Sequence, residues 1–139
     1  LAGVHVTILN IGNPKHASAE HQTQEKIAQY YQIPETSDLA VLNKATLIVD
    51  AMFGIGIDRA VKGAYTDAIN AINNTDAVVV AVDMPSGINT DTGEVMGTAV
   101  RATTTVTFAY NKVGLTKNAG KDYAGNIVVA NDRGTYAVD

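Results

Sequence analysis

Val78-Val79-Val80-Ala81-Val82-Asp83-Met84-Pro85-Ser86-Gly87 begins as an unbroken apolar run and stops at a carboxylate. A run this rich in β-branched residues fits a strand buried on both faces, as in a parallel sheet covered by helices. Pro85 cannot donate to a β-ladder and Gly87 tolerates backbone angles that other residues resist, so the chain turns there. Asp83 therefore ends a central strand, at the carboxyl edge where open α/β sheets bind ligands. A second stretch has the same form: Thr46-Leu47-Ile48-Val49-Asp50, followed by Ala51-Met52-Phe53-Gly54-Ile55-Gly56. If both strands lie in one parallel sheet, Asp50 and Asp83 emerge on the same edge beside two glycine-bearing loops. The plain structural reading is that each Asp caps a turn or a helix start. Either one alone favours that reading, and the repetition favours a site.

The flanking sequence supplies the rest of an alternating pattern. Val4 to Leu9 reads as a strand, and Ser18 as the N-cap of a helix over residues 19–32, with Ile27, Ala28 and Tyr31 on one face and Pro34 ending it. Ser37 caps a short helix through Leu39 and Leu42. Tyr65, Ala68, Ile69 and Ile72 have the spacing of an amphipathic helix. Residues 89–93 read as a polar loop, Thr103 to Phe108 as a strand, Tyr110 to Ala124 as loop, and Asn126 to Ala130 as a last strand. Strand–helix alternation of this kind predicts parallel βαβ units, with Val4–Leu9, Thr46–Asp50 and Val78–Asp83 as parallel neighbours in one sheet.

Composition bounds the function. A chain of 139 residues can hold one domain with a real core. The formal net charge of −4 offers no general attraction to nucleic acid or to an anionic membrane surface. No apolar run approaches the roughly 20 residues that span a bilayer. With no cysteine there is no disulfide framework and no thiolate chemistry, which fits the cytoplasm.

Two stretches could carry chemistry. Gly54 to Arg59 is a glycine-bearing loop after a strand, whose backbone N–H groups and Arg59 could approach a phosphate. It lacks the full G-x-G-x-x-G fingerprint, and alone it reads as a tight turn. Asp83 to Gly87 offers a carboxylate, a hydroxyl and carbonyls, hard oxygen donors suited to a hard cation. Asp83 is otherwise a proton-transfer group. No G-x-S-x-G elbow surrounds Ser86, so it does not read as a nucleophile. His5, His16 and His21 have neither metal-ligand spacing nor acidic partners and read as ordinary histidines.

Val49-Asp50-Ala51-Met52-Phe53-Gly54-Ile55-Gly56, then Val82 to Gly93, then Thr105-Val106-Thr107-Phe108 with Lys112 and Gly114-Leu115, resemble the NAD(P)H-hydrate epimerase family, also called the YjeF N-terminal domain. The resemblance runs over essentially the whole chain. It implies a Rossmann-like three-layer α/β/α sandwich with a mostly parallel sheet. It also implies an isomerase that interconverts the R and S forms of hydrated NADH and NADPH for repair by a separate dehydratase. Carried over residue by residue, Asp50 and Ser86 resemble ligands of a potassium ion. Gly54, Ile55, Gly56, Ile57, Asp58, Arg59 and Ala60 resemble the loop that cradles the hydrated dinucleotide. Asp83 resembles the substrate-binding and acid/base residue. The candidate partners are that substrate, a dehydratase domain or protein, and a second copy of the chain. The family's Asn-Asn-Gly-Gly-Asp segment has no match here, so residues 1–139 are expected to form a single domain incomplete at its amino end. The rival readings are a non-catalytic binding or scaffold module of the same fold, and another nucleotide-using Rossmann enzyme. The missing dehydrogenase fingerprint counts against the latter.

Overall fold

The structure, a computed structural model, describes residues 3–12, 26–27, 29–53, 62–108 and 111–130. Its chain forms two compact units, Leu1–Val41 and Leu42–Asp139.

In the first unit, strand β1 (Ile8–Leu9) pairs in parallel with β2 (Glu35–Thr36). Ile8 N–H donates to the Pro34 carbonyl at 2.8 Å, and Asn10 N–H to that of Thr36 at 2.8 Å. This departs from the sequence reading. The strand is shorter than Val4–Leu9, and it pairs with a two-residue strand, whose brevity leaves no periodic signal, instead of joining the Asp50 and Asp83 strands in one sheet. Val4 and Val6, the alternate apolar positions, are exposed rather than packed. Most of the helix expected over 19–32, with its proposed cap Ser18, lies outside the described residues; Lys26, Ile27, Gln29 and Tyr30 are helical. Ile27 and Tyr31, expected on one face of it, are both exposed. The chain leaves that helix through Gln32 in the left-handed region (φ 59°), then runs through Pro34 into β2. A 3-10 helix follows at Leu39–Lys44. Its cap is Asp38 and not Ser37: Asp38 Oδ1 accepts from Ala40 N–H at 2.9 Å.

The second unit holds a four-stranded parallel sheet in the order β3 (Leu47–Asp50), β4 (Val78–Val82), β5 (Thr104–Phe108), β6 (Asn126–Ala130). The α/β class and the parallel pairing of the two Asp-ended strands are as expected. Register sets Leu47 opposite Val78 and Asp50 opposite Ala81. Alternation then sorts side chains by face: Ile48, Asp50, Val79, Ala81, Thr105 and Thr107 are buried, while Leu47, Val49 and Val78 are exposed.

Helix α1 (Ala64–Asn73) buries the stripe the spacing predicts, Ala68, Ile69 and Ile72. Ile69 is fully buried. Truncating it to Ala is expected to cost about 2–5 kcal/mol through lost transfer energy and a residual cavity. A urea titration that leaves the midpoint unmoved would contradict the packing of this stripe.

Beyond β4 the chain stays buried from Met84 to Ile88, and Met84, Ile88, Ala99, Leu115 and Ala124 form one apolar cluster. Residues 89–93 form a tight reversal: Asn89 N–H donates to Glu94 O at 2.9 Å, and Ile88 bridges Val95. The segment read as loop from Tyr110 to Ala124 instead contains a 3-10 turn (Val113–Leu115) and helix α2 (Asn118–Tyr123). Glycine and asparagine there suppress any helical signal. Gly120 is helical because of what it packs against: its N–H donates to Gly93 O at 2.7 Å, and it lies against the Gly114 carbonyl.

Candidate functional site

The parallel pairing of β3 and β4 brings their carboxyl ends to one edge of the sheet, and the loops that leave them are tied together there. Asp50 closes β3 with its side chain on the buried face, 1% exposed. Both of its oxygens accept from Ser86, Oδ2 from the backbone N–H at 2.7 Å and Oδ1 from the hydroxyl at 2.6 Å. Met52 N–H lies 3.4 Å from Oδ1, and Phe53 N–H donates to Ser86 Oγ at 3.3 Å. The Phe53 ring rests on Tyr65 at the start of α1, centroids 4.8 Å apart.

The donors to Asp50 among the described residues are neutral. Burial pushes its carboxyl above the ordinary value, and the hydrogen bonds from Ser86 and Met52 offset only part of that shift. Among the described residues no basic side chain pairs with it, and no three His, Cys, Asp or Glu residues converge. A buried carboxylate beside a hydroxyl oxygen is an all-oxygen donor set, which suits a hard cation better than a transition metal.

Asp83 stands at the same edge, one residue past β4. Its backbone lies in the left-handed region (φ 73°), which Asp tolerates better than most residues. Its N–H donates to Val106 O at 2.7 Å, carrying the pairing with β5 one step beyond the strand. Oδ1 accepts from Thr107 Oγ1 at 3.0 Å and pairs with Lys112 Nζ at 3.1 Å. Lys112 Nζ also donates to Thr107 Oγ1 at 3.0 Å and to Phe108 O at 3.1 Å. Thr107 is fully buried and Lys112 nearly so. The Asp83 side chain keeps 15% of its surface exposed.

Of the residues singled out in the sequence, Asp50, Ser86 and Asp83 gather at this edge. Gly54 to Ala60 lie outside the described residues. Sequence reasoning assigned no role to Lys112 or Thr107. A lysine shortly after a strand looks solvated by default, and only its burial reveals the ion pair.

A model of the family described as YjeF-related protein N-terminus matches residues 1–114. The chain belongs to that family. Among YjeF-related proteins, NAD(P)H-hydrate epimerase of Limosilactobacillus reuteri is 98% identical over 139 residues, covering 100% of this chain and 66% of the relative. The protein of the same name from Limosilactobacillus fermentum is 62% identical over 136 residues, covering 98% of this chain and 65% of the relative. That from Levilactobacillus brevis is 55% identical over 139 residues, covering 100% and 64%. The chain thus spans slightly less than two thirds of these relatives. The crystal structure of yeast ynu0 superposes with a TM-score of 0.73 at 14% identity, covering 94% of this chain and 54% of that one. At that identity it speaks for the Rossmann-like fold of this YjeF-related chain and not for its chemistry. Among the described residues no helix is long and apolar enough to cross a membrane.

Proposed function

We propose that this chain carries the catalytic edge of a cytoplasmic NAD(P)H-hydrate epimerase, which interconverts the R and S forms of hydrated NADH and NADPH. The observation that carries the reading is the 98% identity, over all 139 residues, to a protein of that name. The chemistry of the edge agrees with it. Epimerising a ring carbon that bears a hydroxyl beside a ring nitrogen can proceed by ring opening or by loss and return of water. Either route needs a positioned group that gives and takes a proton. Asp83 fills that role: Oδ1 is anchored by Thr107 and Lys112, while Oδ2 has no partner among the described residues. The reading assigns the loop Gly54 to Ala60 to the substrate's phosphates. The partners it adds are a dehydratase that consumes the product and a second copy of the chain. The test follows epimer exchange by chromatography, using the full-length protein and one purified epimer. Exchange above the uncatalysed background is expected, and a rate equal to background would refute the reaction.

Asp50 and Ser86 would hold a potassium ion in this reading, and what it supplies is positive charge beside a buried carboxylate. Asp50 itself then makes a prediction. Burial raises its folded-state pKa above the ordinary value of 3.8, so the folded state binds that proton more tightly than the unfolded chain. The stability this brings is full below about pH 3.8 and is lost as pH rises through the raised value. In potassium-free buffer, melting temperature should therefore fall over that window, and potassium should reverse the fall by binding the ionised carboxylate. Asp50→Asn should flatten both responses. Equal melting curves with and without potassium in the parent protein would remove the cation from this site.

A further inference from the structure

We infer that Lys112 is the positioning residue for Asp83, working with Thr107 as a clamp on one carboxylate oxygen; the inference rests on the epimerase reading for its catalytic readout. Lys112 is 5% exposed, and a buried charge of this kind is costly unless well paired. Three of its contacts converge on one place: Asp83 Oδ1 at 3.1 Å, Thr107 Oγ1 at 3.0 Å and Phe108 O at 3.1 Å. Thr107 relays the same contact, because its hydroxyl accepts from Lys112 and donates to Asp83 Oδ1 at 3.0 Å.

Both members of the clamp therefore act on Oδ1. The carboxylate is thus held through one of its two oxygens. This matters because Asp83 sits at φ 73°, a conformation sparsely populated by residues other than glycine, which persists only where the surroundings impose it. Lys112 directly precedes the 3-10 turn Val113–Leu115, whose Gly114 and Leu115 are buried. The lysine backbone is thus fixed by packing away from the carboxylate, and its side chain reaches back to the end of β4. A clamp built on a separate, packed element holds orientation well, and small losses of orientation at a reacting group are known to cost on the order of 100-fold in rate.

The experiment uses the full-length protein in potassium buffer and the variants Lys112→Met and Thr107→Val. Lys112→Met is expected to lower kcat by about 100-fold and Thr107→Val by about ten-fold, with less than about a three-fold change in the affinity for the hydrated dinucleotide. In an Asp83→Asn background, Lys112→Met should cost less than about two-fold more, because residues acting through one another are not additive. A kcat within three-fold of the parent in a folded Lys112→Met protein overturns the inference. So does a full additional loss in the Asp83→Asn background, which would place the action of Lys112 elsewhere. If Lys112→Met does not fold, Thr107→Val decides in the same way. If the parent protein exchanges no epimers, the epimerase reading fails, and the clamp is then decided by the carboxyl 13C resonance of Asp83. Displacement of that resonance in Thr107→Val supports the clamp, and an unmoved resonance overturns it.

Discussion

Replacing Asp83 by Asn is expected to slow epimer exchange by about 100- to 10,000-fold, the usual contribution of a positioned acid or base. Asn keeps the shape of the side chain and, like Asp, tolerates the left-handed backbone that the position requires (φ 73°). Its carbonyl oxygen can still accept from Thr107 and Lys112. What it loses is the ability to take up and release a proton. Binding of the hydrated dinucleotide, measured by calorimetry, should change far less than kcat. The substitution also removes the charge that Asp83 sets against the buried Lys112 ammonium, so a loss of stability should accompany the loss of rate. A variant that exchanges epimers as fast as the parent would make Asp83 a turn residue.

A large effect on stability is also expected at a contact between glycines. Gly93, Gly114 and Gly120 bring three backbone segments together with no room for a side chain. A Cβ on Gly120 would strike the Gly114 carbonyl oxygen, and would come within 3.0 Å of its carbon and 3.1 Å of Gly93 Cα. A Cβ on Gly114 would strike the carbonyl oxygens of Asn89 and Thr90. These neighbours are backbone atoms and cannot swing aside. Gly120→Ala should therefore cost on the order of 3 kcal/mol, despite the better intrinsic helix propensity of Ala. With an ordinary urea dependence of about 2 kcal/mol/M, the midpoint should fall by roughly 1.5 M. A midpoint at or above that of the parent would mean that these segments are not in contact in solution.

What was legible in the sequence was what local pattern dictates. The valine run before Asp83 and the shorter run before Asp50, though not buried on both faces as expected (Leu47, Val49 and Val78 are exposed), are strands as read, ending at their carboxylates. The stripe of Ala68, Ile69 and Ile72 likewise matched its buried face. The features that escaped depend on partners distant in sequence. Val4 and Val6 look like strand residues, but a strand needs a neighbour, and only Ile8 and Leu9 found one. Gly120 looks like a helix breaker until Gly93 and Gly114 are placed against it. Lys112 carries no mark of burial in its own neighbourhood, so its pairing with Asp83 emerges only from the fold. Of the candidate site, Asp50, Ser86 and Asp83 were readable because they end or follow strong strands, whereas the residues that hold Asp83 in place were not.

The order of strands in the sheet has a consequence for how the chain folds. From β3 to β6 each strand lies beside the one that follows it in sequence. The sheet can therefore grow from one edge as the polypeptide lengthens, each new strand closing only its own connection onto an edge already formed, with no earlier pairing to be opened. The ion pair of Asp83 with Lys112 joins the end of β4 to residues beyond β5. It can form only after β5 has docked. A nascent chain that has paired β3 with β4 already carries both aspartates at the sheet edge, but the carboxylate of Asp83 becomes fixed in direction one strand later, so competence for chemistry lags behind compactness.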